Sequence, residues 1–194
     1  MADDLLLPEN KPTRADALQN RELLLETAQA LFDEQGVESV TMAAIAQAAG
    51  VGKGTLYRHF ENKGDLCQAL LDEDQRKLQE RTLKRLRSND DPLDLLRWFL
   101  LEVAKFVDAN QALLCTHTGE QTIPLLTHPA HLWWRQTIHQ LLTRLDIPGD
   151  TEYAADVLYM MLDVHTIYFQ QTHLGYDLER IHDGLMQTLL HFIN

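Results

Sequence analysis

The chain has 194 residues, a net charge of −12 with His neutral, 45% hydrophobic residues and two cysteines. That length suffices for one good core or for one small and one medium domain, and the isolated Cys67 and Cys115 exclude a disulfide framework. The longest apolar run, Val157 to Leu162, is too short to span a membrane, and Asp3 and Asp4 stand where a secretory signal is basic; a cytoplasmic protein with reduced thiols is expected.

Helix formers abound and no useful strand-like alternation occurs, so the expected class is all-α. Residues 1–17 read as a flexible polar arm in which Lys11 and Arg14 are candidates for phosphate or minor-groove contact. The first helix ends at Gly36 and carries an apolar stripe of Leu24, Leu25, Ala28, Leu31 and Phe32. Residues 41–60 then encode two short helices joined by a glycine turn. Thr41 is a capping residue for the first of them. Ile45 and Ala49 share a face, and Ala46 is small enough to admit a neighbouring helix. Gly50 falls where a left-handed residue must end that helix. Val51, Leu56 and Phe60 return to the core, which leaves Lys53, Thr55, Tyr57, Arg58 and His59 unable all to point inward. Cationic and hydrogen-bonding groups on a short second helix suit the DNA major groove and its flanking phosphates. The run G-V-G-K-G-T is not a phosphate-binding loop, because Gln47 and Gly54 replace the Gly and the Ser or Thr that such a loop needs.

The spacing of Arg21, Leu24, Leu25, Ala28, Leu31, Phe32, Gly36, Val40-Thr41, Ile45-Ala46, Ala49-Gly50-Val51, Gly54-Thr55-Leu56-Tyr57, His59-Phe60, Lys63 and Leu66 resembles that of TetR-family transcriptional regulators. The resemblance covers roughly the first third of the chain. It implies an all-α homodimer with an N-terminal three-helix helix-turn-helix DNA-binding domain, a C-terminal helical domain for ligand binding and dimerisation, and about nine helices in all. On that footing residues 18–78 form the DNA-binding domain, with the motif at 41–60, and residues 79–194 the effector-binding and dimerisation domain. By resemblance Thr41, Tyr57, His59 and Lys63 position the DNA backbone, Lys53, Gly54 and Thr55 approach base edges, and Arg58 serves either role. Gly52 departs from the pattern, since many members place Ser there. The partners so implied are a palindromic DNA operator, a small-molecule effector and a second copy of the chain; no cofactor is implied.

Charge is divided unevenly. Residues 11–87 hold 12 Lys and Arg against 12 Asp and Glu, whereas residues 88–194 hold 5 against 14. An acidic body behind a locally basic reading head orients a protein on DNA and suppresses non-specific contact; the equal alternative is a surface that is acidic for solubility alone.

Asn62 and Asp65 start a helix running to about Arg87, with Leu66, Leu70, Leu78 and Leu86 inward; it joins the two domains and serves as a lever. Asp91-Pro92 starts another that runs to about Ala109. Shorter pieces fill Gln111 to Leu126, broken by Gly119 and Pro124; Pro129 starts a helix ending near Asp146. Asp150 or Thr151 caps a helix ending near Gly175 that is apolar nearly all round, and Asp177 starts the last, with Leu178, Ile181, Leu185, Leu189 and Phe192 on one face. Helices apolar in this way must be covered from two sides, so the last two are expected to pack on their symmetry mates.

Aromatic, Met and His side chains crowd the second domain, and the candidate pocket residues are Phe99, Phe106, Trp134, Tyr159, Met160, His165, Tyr168 and Phe169, with His165 the group expected to face a ligand. His128 and His131, with His139, Asp163 or His165, offer metal donors, but Pro129 intervenes and no HExxH or Cys pair occurs, so no metal is assigned. The favoured function is a ligand-responsive DNA-binding regulator, usually a repressor in the family that the chain resembles. The alternatives are an effector-independent DNA-binding structural protein and, without any supporting catalytic constellation, a metal-dependent helical enzyme.

Overall fold

The computed structural model describes residues 14–88, 90–116 and 129–193, and these form ten helices and no strand. The chain divides into two compact units, one reaching to Leu66 and the other starting at Cys67.

The first unit holds α1 (Arg14–Gln35), α2 (Met42–Ala48), α3 (Lys53–His59) and the opening turn of α4 (Lys63–Leu86). Arg14, which the sequence assigned to the arm, opens α1; Lys11 lies outside the described residues. Leu24, Ala28, Phe32, Ile45, Ala46, Leu56 and Phe60 are all buried and make the small core on which α2 and α3 rest. The helix ends are set by local chemistry. Gly36 stops α1 at φ +80°, its N–H donating to the Phe32 carbonyl at 2.9 Å. The Thr41 hydroxyl accepts from the Ala44 N–H at 3.2 Å and so caps α2. Gly50 ends α2 at φ +68°, and the next N–H, of Val51, returns to the Ala46 carbonyl at 3.0 Å.

A Cβ at Gly50 would meet nothing within 4 Å. The cost of Gly50→Ala is therefore conformational alone, about 1–2 kcal/mol for an L-residue held left-handed. Urea unfolding of the full chain checks this; an unchanged midpoint would mean that the turn relaxes out of its positive φ.

The second unit is built round α5 (Pro92–Ala109), whose Leu95, Leu96, Phe99, Leu100, Val103, Ala104 and Val107 are all buried. Asp91 caps it through the N–H groups of Leu93 and Asp94 at 3.0 and 3.1 Å, with Pro92 where a missing N–H costs nothing. Around α5 lie α6 (Gln111–Thr116), α7 (Pro129–Arg144), α9 (Val164–Thr172) and α10 (Leu178–Ile193), while α8 (Thr151–Met160) packs on α7 and α10. Gly119, Pro124 and His128 lie outside the described residues.

One expected helix is two. The stretch from Asp150 towards Gly175 breaks after Met160, because the Asp163 carboxylate accepts from the N–H groups of His165 and Thr166 at 2.9 and 3.2 Å and starts α9 afresh. A side chain that caps the backbone competes with the helix continuing through it. Within α8 and α9, Ala154, Ala155, Leu158, Val164 and Ile167 are buried, whereas Tyr153, Met160, Tyr168 and Phe169 are exposed. On α10 the buried line is Ile181, Leu185 and Leu189.

Candidate DNA-binding and effector sites

On α3 the sequence sorts its side chains cleanly. Leu56 is fully buried, and Phe60, just past the helix, is held beneath the Arg21 guanidinium, 5.6 Å from its ring centre. Lys53, Gly54, Tyr57 and Arg58 are exposed, and Thr55 and His59 half-buried. The stretch from Ser39 to Phe60 contains no Asp or Glu, so α2, α3 and the turn between them carry no acid, and Glu61 is the first to follow. Gly52 caps α3 with its backbone only, its carbonyl accepting from Thr55 and Leu56 at 2.9 and 3.2 Å. A Cβ at Gly54 would meet nothing within 4 Å, so nothing inside the molecule requires a glycine in this helix. Glycine there costs roughly 1 kcal/mol of helix propensity, and what it provides is a bare stretch of backbone on the outer face.

Lys63, expected beside a phosphate, has a different environment. Its ammonium donates to the carbonyls of Val37 at 2.8 Å and Val40 at 3.2 Å. It thereby closes the α1–α2 connection onto the start of α4, and its three donors are directed at protein carbonyls.

In the second unit a cavity of about 30 Å³ lies among four helices. Helix α4 supplies Gln68, Leu71, Asp72 and Gln75, α5 supplies Phe106, α6 Leu114, and α7 Ala130, His131 and Trp134. Trp134, only 1% exposed, donates its indole N–H to the Gln75 side-chain carbonyl at 3.0 Å. Its ring meets Phe106 edge-on at 5.3 Å and His131 at 4.7 Å. His131 Nδ1 lies 2.8 Å from the Tyr159 hydroxyl of α8, a buried polar link behind the aromatic wall. Space of this size admits a water molecule or two, so a larger ligand must open it.

Burial, helped by the negative charge of Asp163, pushes the Tyr159 hydroxyl up to about 12. The folded chain thus holds that proton more tightly than the unfolded chain, in which a tyrosine ionises near 10. The corresponding stability is fully present below pH 10 and falls by roughly 1.4 kcal/mol per pH unit between pH 10 and pH 12. Tyr159→Phe should flatten that part of a stability-against-pH curve, as urea midpoints in alkaline buffer would show; an equal alkaline slope in both proteins would contradict it.

The eight candidate pocket residues separate. Phe106 and Trp134 line the cavity, and Tyr159 backs it through His131. Phe99 is wholly buried against Trp133, ring centres 5.6 Å apart, and belongs to the core. Met160 faces outward on α8, whose inward residues are Ala154, Ala155, Leu158 and Tyr159, and His165, Tyr168 and Phe169 face outward on α9, because the break at Asp163 sets α9 with Val164 and Ile167 inward. The sequence missed the α4 wall. Its signal was polar residues interrupting a buried line: Gln75 and the fully buried Thr82 fall at helical spacing with Leu71 and Leu78. Among the described residues no cluster of three His, Cys, Asp or Glu side chains is arranged to hold a metal ion.

A short cationic helix, stripped of acid and set outward on its own buried framework, defines a helix-turn-helix DNA-binding protein. Residues 24–70 match the family model of bacterial regulatory proteins of the TetR family. An HTH-type transcriptional regulator of Staphylococcus aureus is 30% identical over 181 residues, covering 91% of this chain and 96% of the relative. Two crystal structures share the fold. A TetR/AcrR-family regulator from Thermobifida fusca has a TM-score of 0.69 at 17% identity, covering 91% of this chain and 97% of that one. The FadR repressor of Thermus thermophilus, in complex with lauroyl-CoA, has a TM-score of 0.63 at 20% identity, covering 90% and 95%. The chain belongs to the TetR family of transcriptional regulators, and no described helix is long and apolar enough to cross a membrane.

Proposed function

We propose that the protein is a cytoplasmic homodimeric repressor that binds a palindromic operator and is released by a small-molecule effector. The single observation that carries the DNA-binding part is the outward, acid-free face of α3, with Lys53, Gly54, Tyr57 and Arg58 exposed. A seven-residue helix is about 10 Å long and reads only a few base pairs. Two copies related by a dyad read half-sites about 34 Å apart. Lys53, Gly54 and Thr55 are assigned to base edges, Thr41, Tyr57 and His59 to phosphates, and Arg58 to either. The bare backbone at Gly54 supports close approach of a base edge. Lys63 acts at one remove, by holding the connection that precedes α2.

Dimerisation is assigned to α8, α9 and α10, the helices of the last two predicted segments. The exposed Tyr168, Phe169, Leu174 and Leu190 support that assignment. For ligand response, the support is that α4 begins in the first unit and its later turns wall the cavity of the second. A ligand wedged against Leu71 and Gln75 displaces the same helix whose first turn carries Lys63. Full switching from 1:99 to 99:1 needs ~5.5 kcal/mol of differential affinity, which demands close contact with a moving element. A lauroyl-CoA complex is known for the FadR neighbour, and response to a bound ligand is carried over from such neighbours as part of the proposal.

The test is selection of duplexes from random DNA by the purified full chain, followed by titration of the enriched sequence. A palindrome bound at low ionic strength with two protomers per site supports the reading. Failure to enrich any duplex would sink it.

A further inference from the structure

We infer that the effector is an amphipathic anion that enters through the groove between α4 and α5, passing Phe106; this rests on the reading of the second unit as an effector domain. Phe106 borders two spaces. On one side lies the cavity that holds Trp134, and on the other an open groove of about 300 Å³. The groove is lined by Lys77, Arg81 and Lys105 with Asp74 and Glu102. Three cations thus face two carboxylates; Lys105 is one of 5 basic groups against 14 acidic ones in residues 88–194, and Lys77 and Arg81 come from the evenly charged residues 11–87.

The carboxylates and cations differ in freedom. Glu102, with its side chain 11% exposed, is held by Arg81 at 2.7 Å and Lys105 at 3.2 Å, while Lys77 meets Asp74 at 3.0 Å. The three cations are more than half exposed and keep donors to spare. Across the cavity the charge is reversed, because Asp72 stands in the α4 wall with one oxygen bonded to the Gln68 amide at 2.8 Å. A ligand bridging both spaces is therefore oriented. Its anionic end lies among Lys77, Arg81 and Lys105, and its apolar body runs past Phe106 to Trp134 and Leu71. Along α4 the span from Asp72 to Arg81 is about 14 Å, which sets the length of body accommodated. Phe106 is half-buried and packs on Trp134 by an edge. Its rotation joins the two spaces, and this makes room that the closed cavity lacks.

The experiment is calorimetric titration of the full chain with decanoate, 1-decanol and decyltrimethylammonium at neutral pH. Decanoate should bind about tenfold more tightly than the ammonium probe, equivalent to about 1.4 kcal/mol. The Lys77→Gln, Lys105→Gln double variant should bring the two close to parity while leaving decanol unchanged. Ala130→Leu, which fills part of the cavity, should weaken all three. Equal or tighter binding of the ammonium probe overturns the inference, as does a carboxylate preference that survives the double variant, or binding indifferent to Ala130→Leu. Absence of binding by every probe overturns it too, without touching the regulator reading, which operator titration decides separately. Loss of operator recognition with probe binding intact would sink only the latter.

Discussion

Replacing Lys53 and Tyr57 together by alanine is expected to weaken binding to the selected palindrome by at least about hundredfold. A lost base contact costs about 1–3 kcal/mol and acts twice in a symmetric complex; a factor of 100 is only about 2.8 kcal/mol. Both side chains are exposed and neither supports the core, Tyr57 being 52% exposed. Stability should therefore stay within about 0.5 kcal/mol of the parent. Fluorescence anisotropy on the operator, run beside urea unfolding, separates the two effects. Unchanged affinity would remove α3 from the interface, and a parallel fall in stability would show that the variant had lost its fold instead.

Phe99→Ala should be among the most damaging single substitutions in the second unit. Phe99 sits at 0% exposure at the middle of α5, with Trp133 edge-on to its ring. Truncation of a buried phenylalanine costs about 3–5 kcal/mol, the transfer loss and the new cavity acting together. Against a total stability of roughly 5–15 kcal/mol, that loss brings the chain near unfolding. Phe99→Leu supplies the measurable companion, with an expected cost of about 1–1.5 kcal/mol. A cost below about 1 kcal/mol for the alanine variant would mean that Phe99 borders empty space, as a pocket residue does.

The sequence disclosed the first unit at nearly residue-level detail, because its signals are local. A hydroxyl three residues before an orphan N–H, a glycine where φ must turn positive and an apolar spacing of four each act within one turn of chain. Thr41, Gly50 and Leu56 behave as those rules require. The second unit was legible as helices with boundaries near Asp91, Pro129 and Asp177, again through caps. Its cavity was not, since aromatic residues suit a core and a pocket alike; only three-dimensional packing separates Phe99 from Phe106. The outward turn of His165, Tyr168 and Phe169 depended on one carboxylate, Asp163, whose competition with a continuing helix no apolar count reveals. Lys63 illustrates the same limit, as its carbonyl partners lie 23 to 26 residues away.

That tether has a consequence for ionic strength. Each neutralised phosphate releases a condensed counterion, and a cation already committed to protein carbonyls releases none. If Lys63 keeps those partners on DNA, the permanent charges that α3 offers are Lys53 and Arg58, four in the proposed dimer. The logarithm of operator affinity should then fall with the logarithm of salt at a slope of about −4. A measured slope near −6 would instead return Lys63 to the DNA.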